Sequence, residues 1–273
     1  MKIAINGASG FVGTKLREIF PDHVIIHRDD SVTLIQDKLN GVDLFINLAG
    51  APIIKRWSKS YKKVLFESRI QSTQKAVLAL KGSSVKHFIS TSAIGIYPDD
   101  KTCDETCKDF DDSFLANLAV QWEEEAKMAT IPTTILRFGI VLGRDGGALA
   151  QMLTPFRFGV GGIIGDGKMM MSWIDIDDLL GIIKFVAENK LVGTFNACAP
   201  QPVSNYVFTK TLGKVLEKPT IFPLPEFVLQ LIFGEAASVL TGSKEIYPKA
   251  LQDAGFTFAY QTIEQSLKHL LQS

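Results

Sequence analysis

Residues Asn6 to Gly13 read NGASGFVG, set between an alternating KIAI (Lys2–Ile5) and TKLREIF (Thr14–Phe20). The pattern is a strand that turns at once into a helix, with Gly7, Gly10 and Gly13 spaced three apart across the turn. Such a junction leaves the first N–H groups of the helix without partners, at the positive end of its dipole, and so makes an anion site. Gly7 permits the tight turn, Gly10 lets a pyrophosphate approach the backbone, and Gly13 lets the helix pack close to the strand. Ser9, Phe11 and Val12 complete the loop. A glycine-rich turn with only structural duties is the alternative; the strand–loop–helix context favours a bound dinucleotide.

Further along, apolar strand candidates recur with helical patterns between them. HVIIH, VDLFINLAG, KHFISTSA and TTILRFGIVLG read as strands; KKVLFESRIQSTQKAVLAL and FLANLAVQWEEEAKM read as helices. This alternation predicts an α/β fold with a doubly wound parallel sheet. After Gly143 the chain becomes rich in glycine, then resumes the alternation with IDDLLGIIKFVAEN and GTFNACA before a mostly helical end. The organisation expected is a sheet domain from residues 1–150 and 173–198, and a smaller, mainly helical domain from 151–172 and 199–273.

Composition excludes several classes of function. Lys+Arg and Asp+Glu both number 29, which removes the electrostatic case for a nucleic-acid or anionic-membrane partner. No basic region followed by an apolar stretch opens the chain, and FVLQLIFGEAASVL is broken by Glu235 and too short for a membrane span. Three cysteines suggest reduced thiols in the cytoplasm. No metal is expected: His23 and His27 lie too far apart on a strand to share an ion, and His87 and His269 stand alone. A small-molecule substrate is expected; neither its identity nor the oligomeric state follows from the residues.

The loop spacing, together with INLAGAPI, SRIQST, ISTSAIGIY, LRFGIVLG, PFRFGVGGIIGDG, SWIDIDDL and APQPVSN, resembles the extended short-chain dehydrogenase/reductase superfamily. Within it, the chain is similar to an atypical branch labelled epimerase family proteins (YfcH-like), whose small tail domain IYPKALQDAGFTF matches. The resemblance implies a Rossmann-type NAD(P) site and an oxidoreductase or epimerase-like activity. Arg28, at the end of the second strand, stands where a basic residue accommodates a ribose 2′-phosphate, favouring NADP(H) over NAD(H). Asp29 and Asp30 follow it, and a shift of one position places a carboxylate there instead. Leu48, Ala49 and Gly50 are small or apolar enough to pack beside the adenosine. Arg69 falls in SRIQST, where the superfamily usually carries an Asn facing the cofactor; it reaches a phosphate or merely sits in solvent.

Catalysis is less legible. The superfamily pairs a Ser with Tyr-x-x-x-Lys on one helix face. Ser92 matches the Ser, but FLANLAVQWEEEA contains neither Tyr nor Lys. Tyr97, one short loop after Ser92, is the first candidate for the missing acid/base; a buried structural Tyr is the alternative. Tyr206 and Lys210 match the bare spacing by chance. Arg157, Lys168 and the Met run of the glycine-rich segment suit either a substrate wall or a hairpin with core methionines. Asp175 replaces a His common among relatives, and Asp177 and Asp178 read as helix caps. An enzyme with a relocated acid/base and a cofactor-sensing protein without turnover both fit these residues.

Overall fold

The computed structural model describes residues 1–272. Six parallel strands form the central sheet: β1 (Ile3–Asn6), β2 (His23–Ile26), β3 (Leu44–Asn47), β4 (His87–Ala93), then Thr133–Phe138 and Gly193–Ala197. In space, β2 is followed by β1, β3, β4 and the strands beginning at Thr133 and Gly193. The strands of β1 and β3 are buried along their whole length, as expected when helices cover both faces of a parallel sheet. One core cluster joins Ile5, Ile46, Ile89 and Leu136 to Leu179 and Ile183 of helix Ile176–Glu188. Another joins Phe45 and Phe88 to Ala76, Ala79 and Ala126.

From β1 the chain first builds β2 on one side and then β3 on the other, so the winding reverses between β1 and β3. A crevice opens at the carboxyl ends of strands at such a point. Here the ends are held in register by side chains: Asn6 Nδ2 donates to Asn47 Oδ1 at 2.9 Å and to Ser72 Oγ at 3.0 Å, while Asn47 Nδ2 donates to Thr73 Oγ1 at 2.8 Å.

Three local differences from the expected elements have clear causes. TTILRFGIVLG is two strands, because at Gly139 the backbone leaves the sheet and a Cβ there would lie 2.8 Å from Ser172 O. Ile140–Leu142 then pairs with Trp173–Asp175, outside the main sheet, so only Gly193–Ala197 returns to it. The long helix after β3 contains a π-turn, Glu67–Gln71, between Lys59–Phe66 and Ser72–Leu80. A helix also lies between β2 and β3, Val32–Lys38, signalled only by Ser31, which accepts from Leu34 N as its cap.

The C-terminal region is helical, with Asn205–Leu216 packed against Ile263–Gln272. Phe208, Leu212 and Leu267 enter the same apolar cluster as the sheet residues, so the core is continuous across both parts. Among the described residues, no helix is long and apolar enough to cross a membrane.

Candidate functional site

Each glycine of the loop meets a different constraint. Gly7 has φ +84°, and a Cβ there would lie 2.8 Å from the Leu48 carbonyl carbon at the end of β3. At Gly13 a Cβ would lie 2.3 Å from Gly7 O, because helix Phe11–Ile19 approaches the turn that closely. Gly10 is exposed, its Cβ direction meeting only Gly7 O at 3.3 Å. No side chain caps this helix. Its N–H groups therefore face open space beside Gly10, as an anion site requires. Phe11 turns away into a slot: a Cβ at Gly143 or Gly146 would lie 2.2 or 2.1 Å from its ring. Val12 packs on the sheet core.

The crevice between β1 and β3 is a cleft of about 550 Å³. It brings together Gly7, Ser9, Arg28, Ala49 and Gly50, all expected from the sequence. Leu48 instead packs against the core behind it. Two cations join the wall that the sequence reading did not single out, Arg17 and Lys75, since isolated basic residues on helices look like ordinary solvated groups. Of the two carboxylates after Arg28, Asp30 is buried and already holds Lys38 Nζ at 2.6 Å and His27 N at 2.7 Å. Asp29 remains beside Arg28 on the wall.

Arg69 sits at the centre of the π-turn and is 7% exposed. Its Nη2 donates to Ala51 O at 3.0 Å, and its guanidinium lies 5.3 Å from the centre of the Trp122 ring. A Cβ at Gly50 would come within 3.2 Å of it. The cation thus stands directly behind the cleft wall instead of in solvent, and among the described residues no carboxylate pairs with it. Burial pulls its pKa down to about 10.

Ser92 and Tyr97 are linked through a buried network, not placed side by side. Ser92 Oγ donates to Glu123 Oε1 at 2.8 Å. Glu123 is held from the other side by Arg137, through Nε–Oε1 at 2.7 Å and Nη2–Oε2 at 2.8 Å. Arg137 Nη1 donates to Tyr97 OH at 2.6 Å, and that hydroxyl donates to Asn196 Oδ1 at 3.0 Å. Tyr97 is fully buried, and burial pushes its pKa up to about 12. Burial also opposes the charge of Arg137, but the contact with Glu123 outweighs it and holds the guanidinium above its ordinary value. The sheet face of helix Phe114–Lys127 is otherwise apolar, with Ala116, Leu118, Ala119 and Trp122.

A second polar cluster lies where Asp175 caps helix Ile176–Glu188, the role the sequence suggested for its two neighbours. Asp175 Oδ1 accepts from Asp177 N at 2.9 Å and Oδ2 from Ser266 Oγ at 2.6 Å. Asp177 instead meets His269 at 2.8 Å, and Asp178 accepts from Ala259 N and Tyr260 N. His269 is therefore not alone, although these groups already serve one another in fastening the C-terminal helix. Burial raises the Asp175 pKa to about 6, against the pull of its hydrogen bonds. A carboxyl that binds its proton more tightly when folded favours folding in acid. That contribution is complete below the ordinary carboxylate value and is lost as pH rises through about 6. Asp175→Asn should therefore be more stable relative to the wild type at pH 7.5 than at pH 5, read as melting temperatures; a pH-independent difference would exclude this titration.

Comparison with known proteins agrees with this geometry. The NAD dependent epimerase/dehydratase family model matches residues 3–198, and a domain of unknown function, DUF1731, matches 224–270. Epimerase family protein YfhF of Bacillus subtilis is 33% identical over 99% of this chain and 98% of its own length. A chloroplastic SDR39U1 homolog of Arabidopsis thaliana is 31% identical over 100% of this chain and 87% of its own. Among solved structures, the human epimerase family protein SDR39U1 with NADPH superposes with a TM-score of 0.91 at 29% identity, covering 100% of this chain and 99% of that one. UDP-glucuronic acid 4-epimerase of Bacillus cereus, with a TM-score of 0.79 at 18% identity over 99% and 98% of the two chains, shares the fold. A glycine loop at the winding reversal, a cleft beside it and a family model spanning the whole sheet lead to one assignment: the chain belongs to the NAD dependent epimerase/dehydratase family.

Proposed function

We propose that the chain binds NADP(H) in the β1/β3 cleft and works on a small substrate as an oxidoreductase or epimerase-like enzyme without a tyrosinate base. The observation that carries the cofactor choice is the pair Arg28 and Lys75, two cations lining the cleft that no other side chain engages among the described residues. An unpaired cation beside the ribose pocket favours a phosphate over a hydroxyl. The NADPH in the human SDR39U1 structure supports the same reading. Calorimetric titration should give tighter binding of NADPH than of NADH, and Arg28→Ala should remove roughly ten- to a hundredfold of that preference. Equal affinities in the wild type would defeat the assignment.

The dinucleotide supplies hydride chemistry when bound; this chain's residues position and exclude. The loop N–H groups hold the pyrophosphate, and Ala49 and Gly50 shape the adenosine side. In this reading Ser92, whose hydrogen is committed to Glu123, presents lone pairs that accept from a substrate hydroxyl. Tyr97, buried and bonded on both sides of its oxygen, is a positioning residue for Arg137, not the acid/base. The three free thiols suit a reducing compartment such as the cytoplasm.

A second reading, a cofactor-sensing protein without turnover, is favoured by the sheet face of helix Phe114–Lys127, which apart from Glu123 is apolar and carries no Tyr-x-x-x-Lys pair. Transfer of deuterium from 4-deuterated NADPH to any carbonyl compound supports the enzyme. Cofactor-dependent partner binding without transfer supports the sensor.

A further inference from the structure

Cys103 and Cys107 stand at the two ends of one tight turn. Cys107 N donates to Asp104 O at 3.1 Å, and Asp104 Oδ1 accepts from Thr106 N at 2.7 Å, so residues 104–107 fold back on themselves. The reversal carries Cys107 back beside Cys103. Both line one cleft of about 400 Å³, with Asp104, Tyr247 and Lys249. Burial and then the neighbouring Cys107 thiol push the Cys103 pKa up to about 12. A disulfide needs Cα atoms only ~4.4–6.8 Å apart, which is the reach of a tight turn. The two thiols differ in access: Cys103 is 3% exposed, Cys107 half-buried. The charge of Lys101 acts on Cys103 against these upward shifts, more strongly than Asp104 acts with them. Partial exposure beside a cation is the setting in which a thiol is oxidised. Cys198, the third cysteine, is fully buried away from this cleft, with its Sγ 3.3 Å from Ile246 O.

The turn is also a fastening. Strand Lys101–Cys103 pairs with Lys244–Ile246, and Cys103 O accepts from Tyr247 N at 2.9 Å. Between the two cysteines, Glu105 holds two segments at once. Its Oε1 accepts from Asn196 N on the edge strand of the sheet at 2.8 Å, and its Oε2 from Ala250 N in helix Lys249–Asp253 at 3.0 Å. We propose that Cys103 and Cys107 form a redox site, which a hydroperoxide closes to a reversible disulfide that latches Glu105 onto both segments. With hydrogen peroxide, the Cys107 thiol takes one oxygen to become a sulfenic acid and the other leaves as water. The Cys103 sulfur then attacks the Cys107 sulfur; the S–S bond forms, the S–O bond breaks, and the hydroxyl leaves with the Cys103 proton as a second water. Two thiols give up two electrons and one peroxide becomes two waters. A reducing compartment keeps such a pair open until the oxidant arrives.

Hydrogen peroxide added to the full chain, followed by alkylation under denaturing conditions, should lower the free thiols from three to one, and dithiothreitol should restore all three. Trypsin cuts after Lys101 and Lys108, so the bridge appears in a peptide of residues 102–108 that lacks two hydrogens. Cys198→Ser should still lose two thiols, whereas Cys107→Ser should form no bridge within the chain. In the oxidised chain the amides of Asn196 and Ala250 should exchange about tenfold more slowly, because the closed turn opens less often. Three free thiols after peroxide, a loss that falls on Cys198, a loss that reductant does not reverse, or a bridge that survives in Cys107→Ser overturns the site. Unchanged exchange at both amides overturns the latch.

Discussion

Replacing Glu123 by Ala is expected to cost about 3–5 kcal/mol of stability, because it leaves the Arg137 guanidinium buried with no carboxylate. Glu123 is 2% exposed and Arg137 4%, so water cannot take over the lost contacts without rearrangement. At roughly 2–4 °C per kcal/mol for a domain of this size, the melting temperature should fall by about 10 °C. Glu123→Gln keeps one acceptor oxygen and should cost less. The double replacement Glu123→Leu with Arg137→Met should recover much of the loss, since both charges then leave together. A Glu123→Ala variant within about 1 kcal/mol of the wild type would mean the Glu123–Arg137 pair is hydrated in solution.

Gly13→Val should be comparably damaging for a different reason. Its Cβ would fall 2.3 Å from Gly7 O and 2.8 Å from Ala8 Cα, both backbone atoms that no rotamer change can move. Helix Phe11–Ile19 must retreat from the sheet, at a cost at or above the ~1–3 kcal/mol of ordinary overpacking. The same displacement carries the helix N–H groups out of register with the cleft, so NADPH affinity should drop by a hundredfold or more. Gly10→Val is the informative contrast. Its nearest contact is a single oxygen at 3.3 Å, so the fold should tolerate it while both NADPH and NADH bind more weakly. Equal melting temperatures for the Gly13 and Gly10 variants would show that the close approach at Gly13 is relaxed in solution.

The parts of this fold that were legible in the sequence are those governed by local rules. Parallel strands covered on both faces must be apolar throughout, and so β1 and β3 stand out from the helices between them. Gly7 and Gly13 are legible because a positive φ and a backbone contact leave no choice of residue. The network around Ser92 obeys no local rule: Ser92 and Glu123 are 31 positions apart, and Tyr97 and Asn196 are 99 apart. In the sequence Glu123 is one of three consecutive glutamates, and only packing against the sheet sets it apart from Glu124 and Glu125. Lys75 and Arg17 were missed for the same reason: a helix places a cation at a cleft or in solvent with the same local pattern. The helix cap was misplaced by two or three residues because Asp175, Asp177 and Asp178 all have the right chemistry, and only Ser266 and His269, distant in sequence, divide the roles.

The slot that Gly143 and Gly146 form around the Phe11 ring has a consequence for how the chain acquires its structure during synthesis. The glycine loop emerges from the ribosome before the surface that immobilises it, which lies more than 130 residues later. Until that later segment arrives, the Phe11 ring is an exposed apolar group on a βαβ unit whose other strands can already pair. The early unit should therefore be compact but unable to fix its loop, and a nascent chain stopped before Gly143 should protect β1 and β3 from hydrogen exchange while leaving residues 7–13 open. Competence to hold a ligand would arise late and in one step, after strand Thr133–Phe138 has docked and the turn at Gly146 and Gly147 has closed.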